Sequence, residues 1–299
     1  QTPRTLSSEG NPVQLVTYLH HSHPTPALLR EDALVDLSPL FPDLLSLIDG
    51  GPAALARARA HAAKAPAALP LAQARLLAPI PMPRRNVICL GRNYAAHARE
   101  SQEARGEQVA AIEYPVVFTK ATTTVCGPYD DIPMDDAISA QMDYEAELAF
   151  VIGRPARRVA RAEAMAYVFG YTVLNDVTAR DLQDLHKQFH IGKSLDGCCP
   201  IGPCLVTADA IPDPHALRIT CHVNGELRQD SAGEVMTFDI PTIIETLSRT
   251  MTLLPGDIIA TGTPSGVGHA RKPPVYLRPG DVVECAIEGI GALRNRMMD

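Results

Sequence analysis

Hydrophobic positions along the chain change their spacing near residue 86. Before it, "PVQLVTYL" (12–19) reads as a strand, whereas "LSPLFPDLLSLI" (37–48) and "AALARARAHAAK" (53–64) carry apolar residues at helical intervals. The Ala/Pro-rich "APAALPLAQARLLAPIPMP" (65–83) then reads as a semi-stiff connector. From Asn86 onward short apolar runs dominate: "NVICLG", "PVVFTK", "ELAFVIG", "GYTVLN", "GPCLVT", "LRITCHV", "DIIATG" and "DVVECAIEG". Each has the length and β-branched content of a strand. "HVNGEL" (222–227) adds a hairpin signal, because Asn224-Gly225 suits a turn with both central residues at positive φ. "RAEAMAYV" (161–168) and "IPTIIETLSRTM" (240–251) read as helices. The pattern predicts an α+β chain. A small N-terminal α/β domain with its connector (residues 1–78) precedes a larger domain of mixed sheet (79–299).

Composition narrows the function classes. At 299 residues, 46% hydrophobic and 20% charged, the chain is globular material. A net charge of −7, with no long Lys/Arg run, argues against nucleic-acid binding. No run approaches the ~18 apolar residues of a membrane span, and "QTPRTLSSEG" lacks an apolar signal core. Seven scattered cysteines without C-x-x-C spacing read as reduced thiols, so a cytoplasmic location is expected. "GKS" (192–194) is no phosphate loop, since position 187 is Lys rather than Gly. "TGTPSGVG" (261–268) reads as a tight turn carrying polar backbone toward a pocket. His20–His23 reads as a solvated loop, and no G-x-S-x-G elbow is present.

The chemistry concentrates in "DYEAELAFVIG" (143–153). On an extended strand Asp143, Glu145 and Glu147 leave from one face, and clustered carboxylates resist burial unless something positive compensates them. Asp176 ends the next strand-like run, so a strand–helix–strand path would return it beside the glutamates. Three carboxylates suit a hard divalent cation and leave positions open for water or substrate. The competing reading places Glu145 and Glu147 on an exposed strand face paired with Arg or Lys. Arg180 and Gln183 follow Asp176 by four and seven residues, spacings that share a helical face. Lys193 is polar within an apolar stretch, where burial alone would lower its pKa. His97 and Glu100 lie one helical turn apart, a spacing at which a carboxylate orients an imidazole for general-base work.

In collinear order, "GRNYAAHARE", "PVVFTK" with "GPYDDI", "DYEAELAFVIG", "GYTVLNDVTARDLQ", "GKSLDGCCPIGP", "VNGELRQ", "LLPGDIIATGTPSGVG" and "LRPGDVVECAIEGIG" resemble the fumarylacetoacetate hydrolase family across nearly all of residues 86–296. The resemblance implies a mixed β-sandwich roll, a homodimer, and Mg²⁺ or Mn²⁺ held by Glu145, Glu147 and Asp176. It makes His97 and Glu100 part of a lid that orders over substrate and activates water. Lys193 would stabilise developing negative charge, while Arg180, Gln183 and Thr263 would contact the substrate. The chain departs from many relatives at Leu195, Cys204 and near Gly233, which leaves substrate identity open.

A 2-oxo acid chelating such a cation is poised to pass through an enolate. The first expectation is therefore Mg²⁺-dependent hydrolysis of a C–C bond in an acylpyruvate-type 1,3-diketo acid. The alternative is decarboxylation or isomerisation of a related 2-oxo diacid such as oxaloacetate or an aromatic-catabolic intermediate. A reading of another class, a non-catalytic metal or small-molecule binder on the same fold, leaves His97, Glu100 and Lys193 without a purpose.

Overall fold

A computed structural model describes residues 13–231 and 235–299. In chain order, β1 (Gln14–His20), β2 (His23–Arg30) and β3 (Ala33–Asp36) form a meander followed by α1 (Leu44–Asp49) and α2 (Gly51–Ala62). After the connector come β4 (Val87–Gly91), α3 (Ala95–Ala104), β5 (Val116–Lys120), β6 (Ala146–Ile152) and β7 (Val168–Asn175). Two short helices, α4 (Arg180–Leu185) and α5 (His190–Lys193), lead into β8 (Cys199–Thr207). The chain finishes with β9 (Ile219–Val223), β10 (Glu226–Asp230), α6 (Ile240–Thr250), β11 (Ile258–Ala260), β12 (Val282–Ile287) and β13 (Gly291–Met298).

The main sheet runs β3-β2-β1-β8-β7-β6-β11-β4-β5, and a second sheet runs β10-β9-β12-β13. Strand β1 pairs antiparallel with β8, so the N-terminal meander extends the sheet that carries β6 and β7. Both faces of the main sheet are covered. Leu148, Phe150 and Ile152 belong to one core with Cys221, Val283, Cys285 and Leu293 of the second sheet. Ala149 and Val151, alternating with them, belong to another core with Leu44, Leu47 and Ile48 of α1 and Ala54 and Ala58 of α2. A strand buried on both faces reads as a continuous apolar run, which is why "LAFVI" shows no alternation. The α+β class and mixed sheets are as the pattern predicts.

Two helical expectations are corrected. In "LSPLFPDLLSLI" the helix starts only at Leu44, where Asp43 caps it by accepting from the Ser46 amide at 2.7 Å. Pro39 and Pro42 keep the preceding residues out of the helix. "RAEAMAYV" forms 3₁₀ turns over Arg161–Tyr167, in which Ala164 alone is buried. Without an apolar stripe to pack, a full α-helix has nothing to hold it. Among the described residues no helix is long and apolar enough to cross a membrane.

Candidate active site

The acidic cluster grows out of one antiparallel pair. In β6 and β7, Ala146 faces Asn175 and Glu147 faces Leu174. Asp176 therefore arrives just past the end of β7, and its amide donates to the Glu145 carbonyl at 2.8 Å. One carboxylate oxygen each from Glu145, Glu147 and Asp176 lies within 4.8 Å of the others, and all three residues are buried. The exposed-face reading is thereby excluded. The single extended strand expected for Asp143, Glu145 and Glu147 is interrupted, however. Met142–Asp143 pair with Thr178–Ala179 rather than with the main sheet, and the Glu145 amide donates to the Asn175 side chain at 3.0 Å.

Three buried cations meet these acids. Lys193 Nζ lies 2.8 Å from both Glu145 Oε2 and Asp176 Oδ2. Lys193 is thus as buried as expected, but it is ion-paired rather than in apolar isolation. Arg180 reaches Glu145 Oε1 at 2.7 Å and Asp143 Oδ2 at 2.9 Å. Lys120, absent from the sequence-based candidates, has no exposed surface; its Nζ lies 2.9 Å from Asp176 Oδ1 and donates to the carbonyls of Val177 and Lys193. A lysine closing the apolar run "PVVFTK" was the available signal.

Counting Asp143, Glu145, Glu147 and Asp176 against Lys120, Arg180 and Lys193 leaves one negative charge over. Its position is visible in the two glutamates. Burial alone would raise Glu145, but Lys193 and Arg180 bring its carboxyl down to about 2. Burial, compounded by Asp176 and then Glu145, pushes Glu147 well above the usual carboxylate range. Glu147 touches no cation; its Oε2 accepts from the Gly262 amide at 2.7 Å. An uncompensated carboxylate within a buried all-oxygen donor set fits a hard divalent cation such as Mg²⁺ or Mn²⁺.

The other expected residues converge on the same place. His97, Arg180, Gln183, Lys193 and Thr263 line one cavity with Glu145, whose free volume of about 20 Å³ leaves room for little more than a water. Helix α3 covers the cavity. Glu100 Oε1 lies 3.0 Å from His97 Nδ1, and both Glu100 oxygens accept from the Gly266 amide at 3.0 Å. The turn "TGTPSGVG" thus does present backbone to the site. Gln183 Oε1 accepts from Arg180 and from Arg105, each at 3.1 Å. Arg105, at the end of α3, is a further cavity-lining cation that sequence reasoning passed over. The Thr263 hydroxyl donates to the Ala146 carbonyl at 3.0 Å and accepts from Gln229 Nε2 at 2.7 Å, so its proton is held within the fold. Leu195 and Cys204 are not among the cavity-lining residues. Gly233 lies outside the described residues.

Residues 86–298 match the family model described as fumarylacetoacetate (FAA) hydrolase C-terminal. The chain belongs to the fumarylacetoacetate hydrolase family. Among its relatives, the oxaloacetate tautomerase YisK of Bacillus subtilis is 50% identical over 227 residues, covering 76% of this chain and 74% of that protein. A fumarylacetoacetate hydrolase from the psychrophile Exiguobacterium antarcticum has a similar structure, with a TM-score of 0.78 and 41% identity over 96% of this chain and 99% of that one. Maleylpyruvate hydrolase from Sphingobium sp. SYK-6, solved with manganese(II) and pyruvate, matches with a TM-score of 0.76 and 30% identity, covering 95% and 98%. The chain is an enzyme of this family. The expectation of C–C hydrolysis as its main reaction, by contrast, draws less support than the decarboxylase or isomerase alternative, because a second relative, rat Fahd2a, 42% identical over 270 residues (89% of this chain, 84% of that protein), is likewise named an oxaloacetate tautomerase.

Proposed function

We propose that this enzyme interconverts the keto and enol forms of a small 2-oxo diacid of the oxaloacetate type, using a divalent cation. The observation carrying this reading is the small cavity in which His97, Lys193 and Arg180 face a buried carboxylate cluster. The half-identical relative named for oxaloacetate tautomerisation supports it.

Glu145, Glu147 and Asp176 would hold the cation. When bound, it supplies Lewis-acid polarisation of the substrate's 2-keto group. Arg180 and Gln183 orient a carboxylate of the substrate, and Lys193 donates to the oxygen on which charge develops. His97 takes the proton from C3 as the C3–H bond breaks. The electron pair moves into the C2–C3 bond, and protonation of the oxygen gives the enol. Glu100 engages His97 Nδ1, which turns Nε2 toward the cavity as the acceptor, and the Gly266 amide steadies Glu100. Helix α3 keeps bulk water from the C–H bond being broken. No attacking water is needed.

Acylpyruvate hydrolysis is the second reading, favoured by the His97–Glu100 dyad and by the manganese- and pyruvate-bound hydrolase relative. The test follows loss of the enol absorbance of oxaloacetate with Mg²⁺ or Mn²⁺, beside a panel of acylpyruvates. Faster turnover of an acylpyruvate than of oxaloacetate would overturn the tautomerase reading.

A further inference from the structure

Asp143 is the acid left over once the cation's ligands are assigned, yet no carboxylate in the site has more partners. Its Oδ1 accepts from the Tyr144 amide at 2.9 Å and the Gly268 amide at 2.8 Å. Its Oδ2 accepts from the His269 amide and from Arg180 Nε, both at 2.9 Å, with Arg180 Nη2 also 2.9 Å away. The side chain has no exposed surface.

Two arms leave this carboxylate. One is Arg180, whose Nη1 continues to Glu145 Oε1 and to Gln183 Oε1. The other is the turn 266–269, held by Asp143 at Gly268 and His269. At its far end, Gly266 donates to both oxygens of Glu100, and Glu100 in turn meets His97. Both glycines are required by close approach: a Cβ at Gly268 would lie 2.0 Å from the Val275 carbonyl oxygen, and one at Gly266 2.1 Å from that of Arg228. The turn is therefore rigid between its two carboxylates. We infer that Asp143 is a positioning residue that references Arg180 and the lid's Glu100–His97 pair to one point, so that seating the substrate and seating the lid become coupled events.

The carboxylate chemistry is specific. Two oxygens with roughly four lone-pair directions accept these donors, whereas an amide offers one oxygen and turns an NH₂ toward Arg180 or the His269 N–H. Asp143→Asn keeps the volume and removes that capacity.

The inference rests on the reading that Arg180 and His97 flank the reacting substrate, and its test keeps the two separable. The Mn²⁺-loaded full chain is compared with Asp143→Asn, Glu100→Gln and the double variant. Mn²⁺ affinity, oxalate affinity, protection of residues 94–113 from protease by oxalate, and oxaloacetate tautomerisation are measured. Asp143→Asn is expected to lower kcat/KM and oxalate affinity roughly 10- to 100-fold, the effect of losing hydrogen bonds to a charged group. Oxalate protection should disappear with Mn²⁺ affinity little changed, while the melting temperature falls because buried donors lose an acceptor. The double variant should lose clearly less than the product of the single losses, because both act through the Gly266–His269 turn.

Losses that multiply to within about twofold overturn the coupling. A fall in Mn²⁺ affinity as large as the fall in oxalate affinity reduces Asp143 to a general strut and also overturns it. If the parent enzyme does not tautomerise oxaloacetate but Asp143→Asn still abolishes oxalate protection, the functional reading fails and this inference stands. If tautomerisation is present and the variant keeps oxalate affinity and protection, the inference fails alone. Should Asp143→Asn not fold, Asp143→Asn with Arg180→Gln balances the buried charge. Loss of protection in that pair beyond Arg180→Gln alone supports the turn's arm, and equal protection refutes it.

Discussion

Replacing Glu147 by Gln should stabilise the metal-free enzyme while abolishing its response to Mg²⁺. Glu147 is the carboxylate with no cation beside it, and burial together with Asp176 and Glu145 raises its pKa well above the usual carboxylate range. Between the unfolded and the folded pKa the folded state binds more protons than the unfolded one. Stability of the metal-free protein therefore falls as pH rises through that window and stays low above it. Glutamine removes the charge and retains an oxygen for the Gly262 amide. An imperfectly compensated buried charge costs several kcal/mol. If about 1–3 kcal/mol of that is recovered, at roughly 2–4 °C per kcal/mol for a chain of this size, the metal-free melting temperature at pH 8 rises by about 2–12 °C. In the parent protein, Mg²⁺ at a hundred times its dissociation constant adds about 2.7 kcal/mol; the variant should lose most of that gain. Scanning calorimetry from pH 5 to pH 8.5, with chelator and with Mg²⁺, reads both effects. A lower metal-free melting temperature at pH 8, or an undiminished Mg²⁺ shift, would refute the assignment of Glu147 as the uncompensated ligand.

Three further outcomes follow from the same geometry. His97→Ala should slow tautomerisation by about 10²–10⁴-fold, the usual contribution of a positioned base, with Mn²⁺ affinity unchanged by calorimetry; a loss within about threefold, far too small for a missing base, removes His97 from that role. Lys193→Ala should lower kcat for every substrate more than it lowers oxalate affinity, because the ammonium serves charge that develops during reaction; equal losses in both would show a binding role only. Oxalate should protect residues 94–113 of the metal-loaded enzyme from protease, since α3 is held over the cavity by few contacts outside Glu100 and Arg105; identical cleavage with and without oxalate counts against a lid.

The catalytic half of the sheet was legible because its strands are buried on both faces and so appear as unbroken apolar runs. The carboxylate triad was legible because Glu145 and Glu147 open one such run and Asp176 ends its antiparallel partner, which alternation and a short return path bring together. What the sequence could not disclose are contacts between distant segments. Lys120 meets Asp176, and Asp143 meets Gly268 and His269, across separations that no local period encodes. Strand β2, "HPTPALLR", escaped because two prolines mask it, although it pairs with β1 along the whole of β1. The 3₁₀ turns at 161–167 escaped for the opposite reason: good helix formers promise a helix that only a packed face would sustain.

The division of labour between rigid and adjustable backbone has an evolutionary consequence. Glu145, Glu147 and Asp176 are fixed by a single antiparallel strand pair, whereas His97, Glu100 and Arg105 lie on or just beyond a helix that meets the Gly266 turn through Glu100. Drift in α3 and its flanking loops can therefore exchange one acid–base arrangement for another without disturbing the ligands beneath. A lineage with this layout can change which bond it breaks by rewriting some twenty residues. That is a physical route by which a tautomerase and a hydrolase come to share one scaffold.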